Sequence, residues 1–149
     1  MQTIVLTNMC MICDGKGNVV LQDRTGNLKG VSFPGGHIEK NESIVDSTIR
    51  EIKEETNLDI SNLKLVGIKH WNNKERKIRY IVFLFKTETF SGTLIDETSE
   101  GKVFWYPLKD INKLNTTPDF NMIIELMLND KYNEYYFDEV NNNLESTLK

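Results

Sequence analysis

The chain reads as an α+β domain. Three observations lead there. Strand-like segments follow one another without alternating regularly with helices, only two stretches carry helical periodicity, and no linker or internal repeat divides the 149 residues.

The elements follow in order. "TIVLTNMCMI" (residues 3–12) is an apolar-rich strand, "DGKGN" a turn, and "VVLQDR" (19–24) a second strand. "GVSFPGG" (30–36) is a short strand that breaks into a Pro-Gly-Gly turn. A helix follows over residues 43–56: Ser43 is a good N-cap, Asp46 completes a capping box, and Asn57 suits the left-handed conformation that ends many helices. "LKLVGIKHW" (63–71) and "KIRYIVFLFKTE" (77–88) are two strands around the turn "NNKE", and "KVFWYPL" (102–108) is another, closed by Pro107. "TPDFNMIIELMLND" (117–130) is a second helix with Pro118 at its start and apolar residues at helical spacing. Residues 1–130 then form one domain. Residues 131–149, polar with an asparagine run, form a C-terminal tail whose aromatic beginning packs on the domain and whose end is loose.

The bulk properties narrow the function. A net charge of −4 and a pI near 5.3 argue against a basic surface for a nucleic acid polymer. They leave room for a small phosphorylated substrate, because a divalent cation can supply the missing positive charge. No apolar run reaches transmembrane length and the N-terminus lacks the pattern of a signal peptide, so the expectation is a cytoplasmic protein with no membrane partner, monomer or homodimer. Cys10 and Cys13 form a C-x-x-C pair, but they lie in a strand and no second pair completes a zinc site; ordinary reduced cysteines are expected.

The first helix poses the chemical question. At about 100° per residue, Ile44, Val45, Thr48, Ile49 and Ile52 form a stripe about 140° wide that faces the core. Glu55 falls inside that stripe, Glu51 about 20° outside it and Glu54 about 80° outside. At least one carboxylate is therefore directed into low-dielectric surroundings, where an unpaired charge is costly. Basic side chains from elsewhere could pair with it, or a hard divalent cation could take the carboxylate oxygens. The wheel alone leaves both open. Gly35 and Gly36, just before the helix, allow close backbone approach to a ligand, and a Glu42–Arg50 pair would tie the loop to the helix.

These residues carry a resemblance. The run from Gly36 to Leu58 resembles the Nudix box, G-x5-E-x7-R-E-U-x-E-E-x-G-U with U aliphatic: Gly36, Glu42, Arg50, Glu51, Ile52, Glu54, Glu55 and Leu58 all fall on pattern. The one departure is Asn57 where the family usually has glycine, and asparagine is the next-best residue for a left-handed helix end. The resemblance implies a Nudix fold, a mixed β-sheet sandwiched between helices, and Mg²⁺- or Mn²⁺-dependent hydrolysis of a nucleoside diphosphate linked to another group. It implies that Glu51, Glu54 and Glu55 are metal ligands, one of them also a base. It further implies that Glu42 and Arg50 order the loop and helix, and that the backbone at Gly35 and Gly36 approaches metal or phosphates.

Further candidates lie outside the box. Glu100, in "DETSEGKVFW", is the best candidate for an additional ligand or base, against an ordinary acidic loop. His37 and Arg24 could reach phosphate, or serve structure alone, and the hairpin "KERKIR" could steer a polyphosphate or be a solvated turn. In MutT-like members of the family an Asn or Asp near the start of the second helix reads the purine edge, which makes Asp119 and Asn121 candidates, with Phe120 stacking on the base or packing in the core. The expected function is a MutT-like nucleoside triphosphate pyrophosphohydrolase, 8-oxo-dGTP being one such substrate. ADP-ribose, dinucleoside polyphosphates and RNA 5′ ends are the alternatives, and a non-catalytic nucleotide sensor is the rival from another class.

Overall fold

The computed structural model describes residues 1–140 and 143–149. Its elements are β1 (Thr3–Ile12), β2 (Asn18–Arg24), β3 (Gly30–Ser32), α1 (Ile44–Thr56), β4 (Asp59–Ser61), β5 (Lys64–Asn73), β6 (Ile78–Thr87), β7 (Thr89–Ser91), β8 (Glu97–Thr98), β9 (Gly101–Pro107), a 3-10 segment (Leu108–Lys113), α2 (Phe120–Leu128), β10 (Glu134–Val140) and β11 (Asn143–Leu148). Three sheets result. The largest has the order β1-β6-β5-β10-β11, with β1 parallel to β6 and β10 parallel to β5; a second has the order β3-β2-β9-β8; and β4 pairs with β7.

Strand alternation builds the layers. On β1, Cys10 and Ile12 point to one side and pack with Ile52 of α1, while Met11 between them points to the other, into a core with Phe120, Ile123 and Leu126 of α2. The mixed sheet is thus held between two helices, the α+β sandwich that the resemblance implies. Phe33 and Phe120, both fully buried, meet edge to face at 4.7 Å between ring centres, where β3 approaches α2. Each such side chain contributes about 1.5–3 kcal/mol by leaving water.

Helix α1 forms for the local reasons read above. The backbone N–H of Asp46 donates to Ser43 Oγ at 2.9 Å, and Asn57 adopts φ 65° while its N–H closes the last turn onto the Lys53 carbonyl. Val45, expected in the apolar stripe, is 42% exposed.

The tail differs from its reading. Instead of a loose end, residues 134–140 and 143–148 form an antiparallel pair that extends the large sheet beyond β5. Backbone bonds between Glu134 and Lys149, in both directions at 3.0 and 2.9 Å, close its far end. Residues 141 and 142 of the asparagine run lie outside the described residues. Polar composition hid these strands because few of their side chains are apolar: Tyr135, Phe137 and Leu148 pack on the core, whereas residues 145–147 are exposed.

Candidate active site

The glycine turn is fastened to the edge of β1. The N–H of Asn8 donates to the Gly36 carbonyl at 2.8 Å, that of Cys10 to Pro34 at 3.0 Å, and that of Ile38 to Leu6 at 3.0 Å, so residues 34–38 run along the strand as a partner. Asn8, 3% exposed, joins three elements: its Oδ1 accepts from the Gly36 N–H at 3.1 Å and its Nδ2 donates to Ser47 Oγ on α1 at 3.1 Å. Both glycines are there for space. A Cβ on Gly35 would lie 2.1 Å from the Asn8 carbonyl oxygen, and one on Gly36 would lie 2.3 Å from the Glu51 carboxyl carbon.

Arg50 organises the carboxylates. Its Nε and Nη2 hold Glu42 in a two-pronged bond at 3.0 and 2.7 Å, Nη1 reaches Glu51 at 3.0 Å and Glu54 at 3.3 Å, and Nη2 also donates to the His37 carbonyl at 3.1 Å. That bond, with the Glu39 N–H beside it, holds the Glu42 carboxyl below the usual range, and it holds the Arg50 guanidinium correspondingly more firmly charged. The loop-to-helix tie expected of Glu42 and Arg50 is therefore present.

Glu51 and Glu55 face inward, and Glu54 does not. Glu55 is 4% exposed, and its Oε2 accepts from the Gly35 N–H at 3.0 Å. Burial, followed by a hydrogen bond with the Glu100 carboxyl and the charge there, pushes Glu55 up to about 9. Burial also raises Glu51, against the pull of Arg50. Glu54 is 59% exposed and turned onto Arg50. Among the described residues no three acidic, histidine or cysteine side chains stand together closely enough to cage an ion, and Glu54 is bonded to Arg50. The donor set nonetheless suits a hard cation. Two carboxyls, the buried Glu55 and the exposed Glu100, come together at the cavity, where a positive charge would relieve their repulsion.

Glu51, Glu55 and Glu100 line a cavity of about 330 Å³, with Gly35, Gly36, His37 and Arg24. Met9, Phe33, Lys69, Trp71, Tyr80 and Val82 complete its lining. A larger cavity, about 710 Å³, opens by the β1–β2 turn, but Lys16, Lys86 and Lys109 surround it and Glu88 is its one acid. The first cavity, with its converging acids, is the candidate site.

The candidates outside the box divide. Glu100 comes against Glu55, Arg24 lines the cavity, and His37 stands exposed at its mouth with its carbonyl taken by Arg50. Asp119 forms an ion pair with Lys69, which lines the cavity. Phe120 is wholly buried against Phe33, so it packs in the core and cannot stack on a base; Asn121 is exposed and does not line the cavity. Asn8, Lys69 and Tyr80 were not read from the sequence as site residues. Asparagine in the middle of an apolar strand was the one available signal, for Asn8.

The comparisons agree with this geometry. A family model described as the NUDIX domain matches residues 5–126. The chain is 34% identical over 126 residues to the uncharacterized Nudix hydrolase YvcI of Bacillus subtilis, covering 83% of this chain and 78% of that one. It is 26% identical over 115 residues to the putative 8-oxo-dGTP diphosphatase YtkD of the same organism, covering 77% and 70%. Its fold matches the crystal structure of a MutT protein from Bacillus halodurans with a TM-score of 0.80 at 24% identity, covering 97% of each chain.

Proposed function

The chain belongs to the Nudix hydrolase family, and from that premise we propose that it is a MutT-like pyrophosphohydrolase, cleaving a nucleoside triphosphate to the monophosphate and pyrophosphate. The observation that carries the reading is one cavity lined both by carboxyls, Glu51, Glu55 and Glu100, and by the rings of Trp71, Tyr80 and Phe33. That layout suits the phosphates and the base of one small nucleotide. The likeness to the putative 8-oxo-dGTP diphosphatase YtkD supports an oxidised purine among the substrates.

Nudix hydrolases use a divalent metal ion. We assign its binding here to Glu51 and Glu55, with Glu54 and Glu100 beside them, and take Mg²⁺ or Mn²⁺ as the ion. When bound, such an ion polarises phosphoryl oxygens and makes an attacking water easier to deprotonate. The chain's own residues supply the rest. Arg50 orients Glu51 and anchors the loop through Glu42. Glu100, which comes against Glu55 in the cavity, is placed to take the proton released by water. Arg24 and the backbone at Gly36 flank the phosphate path, and burial beside Phe33 excludes bulk water. We also place the enzyme in the cytoplasm, which suits its free Cys10 and Cys13.

A substrate panel tests this. Canonical and 8-oxo nucleoside triphosphates, ADP-ribose and diadenosine polyphosphates are assayed with Mg²⁺ and with chelator, in the wild type and in Glu54→Gln. Metal-dependent release of monophosphate and pyrophosphate, lost in the variant, is expected. Turnover confined to ADP-ribose or dinucleoside polyphosphates would reject the triphosphate reading. Nucleotide binding without turnover would make the protein a sensor.

A further inference from the structure

The family model ends at residue 126, yet the aromatic lining of the cavity is backed by a strand beyond it. β10 pairs with β5 so that Tyr135 lies opposite Lys69 and Phe137 opposite Trp71. Strand alternation then puts Tyr135 and Phe137 on the same face as those two cavity residues. The Phe137 and Trp71 rings stack at 5.2 Å and 12°, and Trp71 stacks on Tyr80 of β6 at 4.6 Å and 10°. Trp71 is therefore held between two rings, one on each face. Without β10, strand β5 would be a sheet edge and one face of Trp71 would be bare. Lys69 Nζ sits 5.0 Å from the Trp71 ring centre and 5.7 Å from that of Phe137, and its ion pair with Asp119 ties the row to the start of α2. The hairpin is fastened on the opposite face as well, through His70–Glu134 and Asn72–Tyr136, each at 3.2 Å.

We propose that the C-terminal hairpin is a specificity element of the nucleotide site, with Phe137 a positioning residue that fixes Trp71 and Lys69 as a rigid wall for the base. The proposal rests on the reading that the cavity takes a nucleotide. Phe137 does not line the cavity and acts through Trp71. Its effect falls on the base and spares the phosphates, because the carboxyls are held by Arg50 and Gly35, neither of which is bonded to the hairpin among the described residues. A wall already locked in place costs less conformational freedom on binding.

The test compares wild type with Phe137→Ala, Phe137→Leu and Phe137→Tyr. Equilibrium binding of nucleoside monophosphates and of inorganic pyrophosphate, which has no base, is followed in Mg²⁺ by calorimetry, with tryptophan emission alongside. In Phe137→Ala, monophosphate binding should weaken by about twofold to thirteenfold, the span of one lost aromatic stack, while pyrophosphate binding is unchanged. Phe137→Tyr, which keeps the ring, should restore it. In turnover, KM should rise by a similar factor with kcat within about twofold, since transition-state contacts are left intact. If Phe137→Ala fails to fold, Phe137→Leu decides on the same split. Equal weakening of both ligands, unchanged nucleotide binding, or a fall in kcat with KM constant would overturn the proposal. So would a wild type that binds no nucleoside monophosphate. If the binding split stands while triphosphates are not cleaved, the hairpin proposal survives and the pyrophosphohydrolase reading alone falls.

Discussion

Replacing Glu55 with glutamine should stabilise the metal-free protein while destroying its activity. The reason lies in its surroundings. The carboxyl is 4% exposed, accepts the Gly35 N–H and shares a hydrogen bond with Glu100, so in the folded, metal-free chain it stays protonated up to about pH 9. In the unfolded chain it ionises near the usual 4.5. The folded state therefore binds more protons than the unfolded state between these values, and stability falls as pH rises through that window. From 4.5 to pH 7, at about 1.4 kcal/mol per pH unit, the cost reaches about 3 kcal/mol. Glutamine cannot ionise, and it keeps both partners: its oxygen accepts from Gly35 and its amide donates to Glu100. In chelator at pH 7, Glu55→Gln should melt about 6–12 °C higher than wild type. Its melting temperature should also be flatter between pH 5.5 and 8.5. Added Mg²⁺ should stabilise wild type more than the variant, and nucleotide turnover should be lost. A variant less stable than wild type in chelator, with the same slope against pH, would refute the protonated-carboxyl argument.

Other perturbations separate the roles of neighbouring residues. Arg50→Lys keeps the charge and loses the two-pronged bond to Glu42, so kcat should fall by about a hundredfold as Glu51 and the loop shift; steady-state kinetics would show it, and a change under threefold would deny Arg50 its organising role. Gly36→Ala meets only the flexible end of Glu51, so activity should collapse with the melting temperature almost unchanged. Gly35→Ala meets the Asn8 backbone and should cost about 1–3 kcal/mol in a denaturant titration; equal behaviour of the two variants would contradict the close-approach geometry. Cys10, whose thiol burial pushes well above its usual range, should resist a thiol reagent in the native protein and react on unfolding. Cys13, half-buried and also raised, should react slowly, and no disulfide should form between the two, because Cys10 and Cys13 belong to opposite cores.

The part of the site that was legible in the sequence is the part that is contiguous in it. From Gly36 to Leu58 the spacing itself carries the geometry: a helix puts Glu51 and Glu55 on one side, and Glu42 lies within reach of Arg50. The wheel placed Glu55 in the apolar stripe, and the structure buries it. Glu54 departs from the expected convergence, because convergence at i, i+3 and i+4 assumes side chains with no better partner and Arg50 supplies one. The second helix misled for a related reason. Its motif placed Asp119, Phe120 and Asn121 together, but 100° steps send three successive side chains in three directions, to Lys69, to Phe33 and to solvent.

By itself, then, the sequence determined the family, the order of the long strands and helices, and which acids share the first helix, since all of these are local patterns of hydrophobicity and spacing. Sheet register decided the rest. Asn8 reaches Gly36 because β1 takes the glycine turn as its edge partner, and Glu100 meets Glu55 across a separation of 45 positions in the chain. The aromatic wall is the fullest case. Tyr80, Trp71 and Phe137 come from three strands and stack only because β6, β5 and β10 lie side by side with those residues in line. Pairing between distant strands is set by which faces must be buried together, and no single segment carries that information.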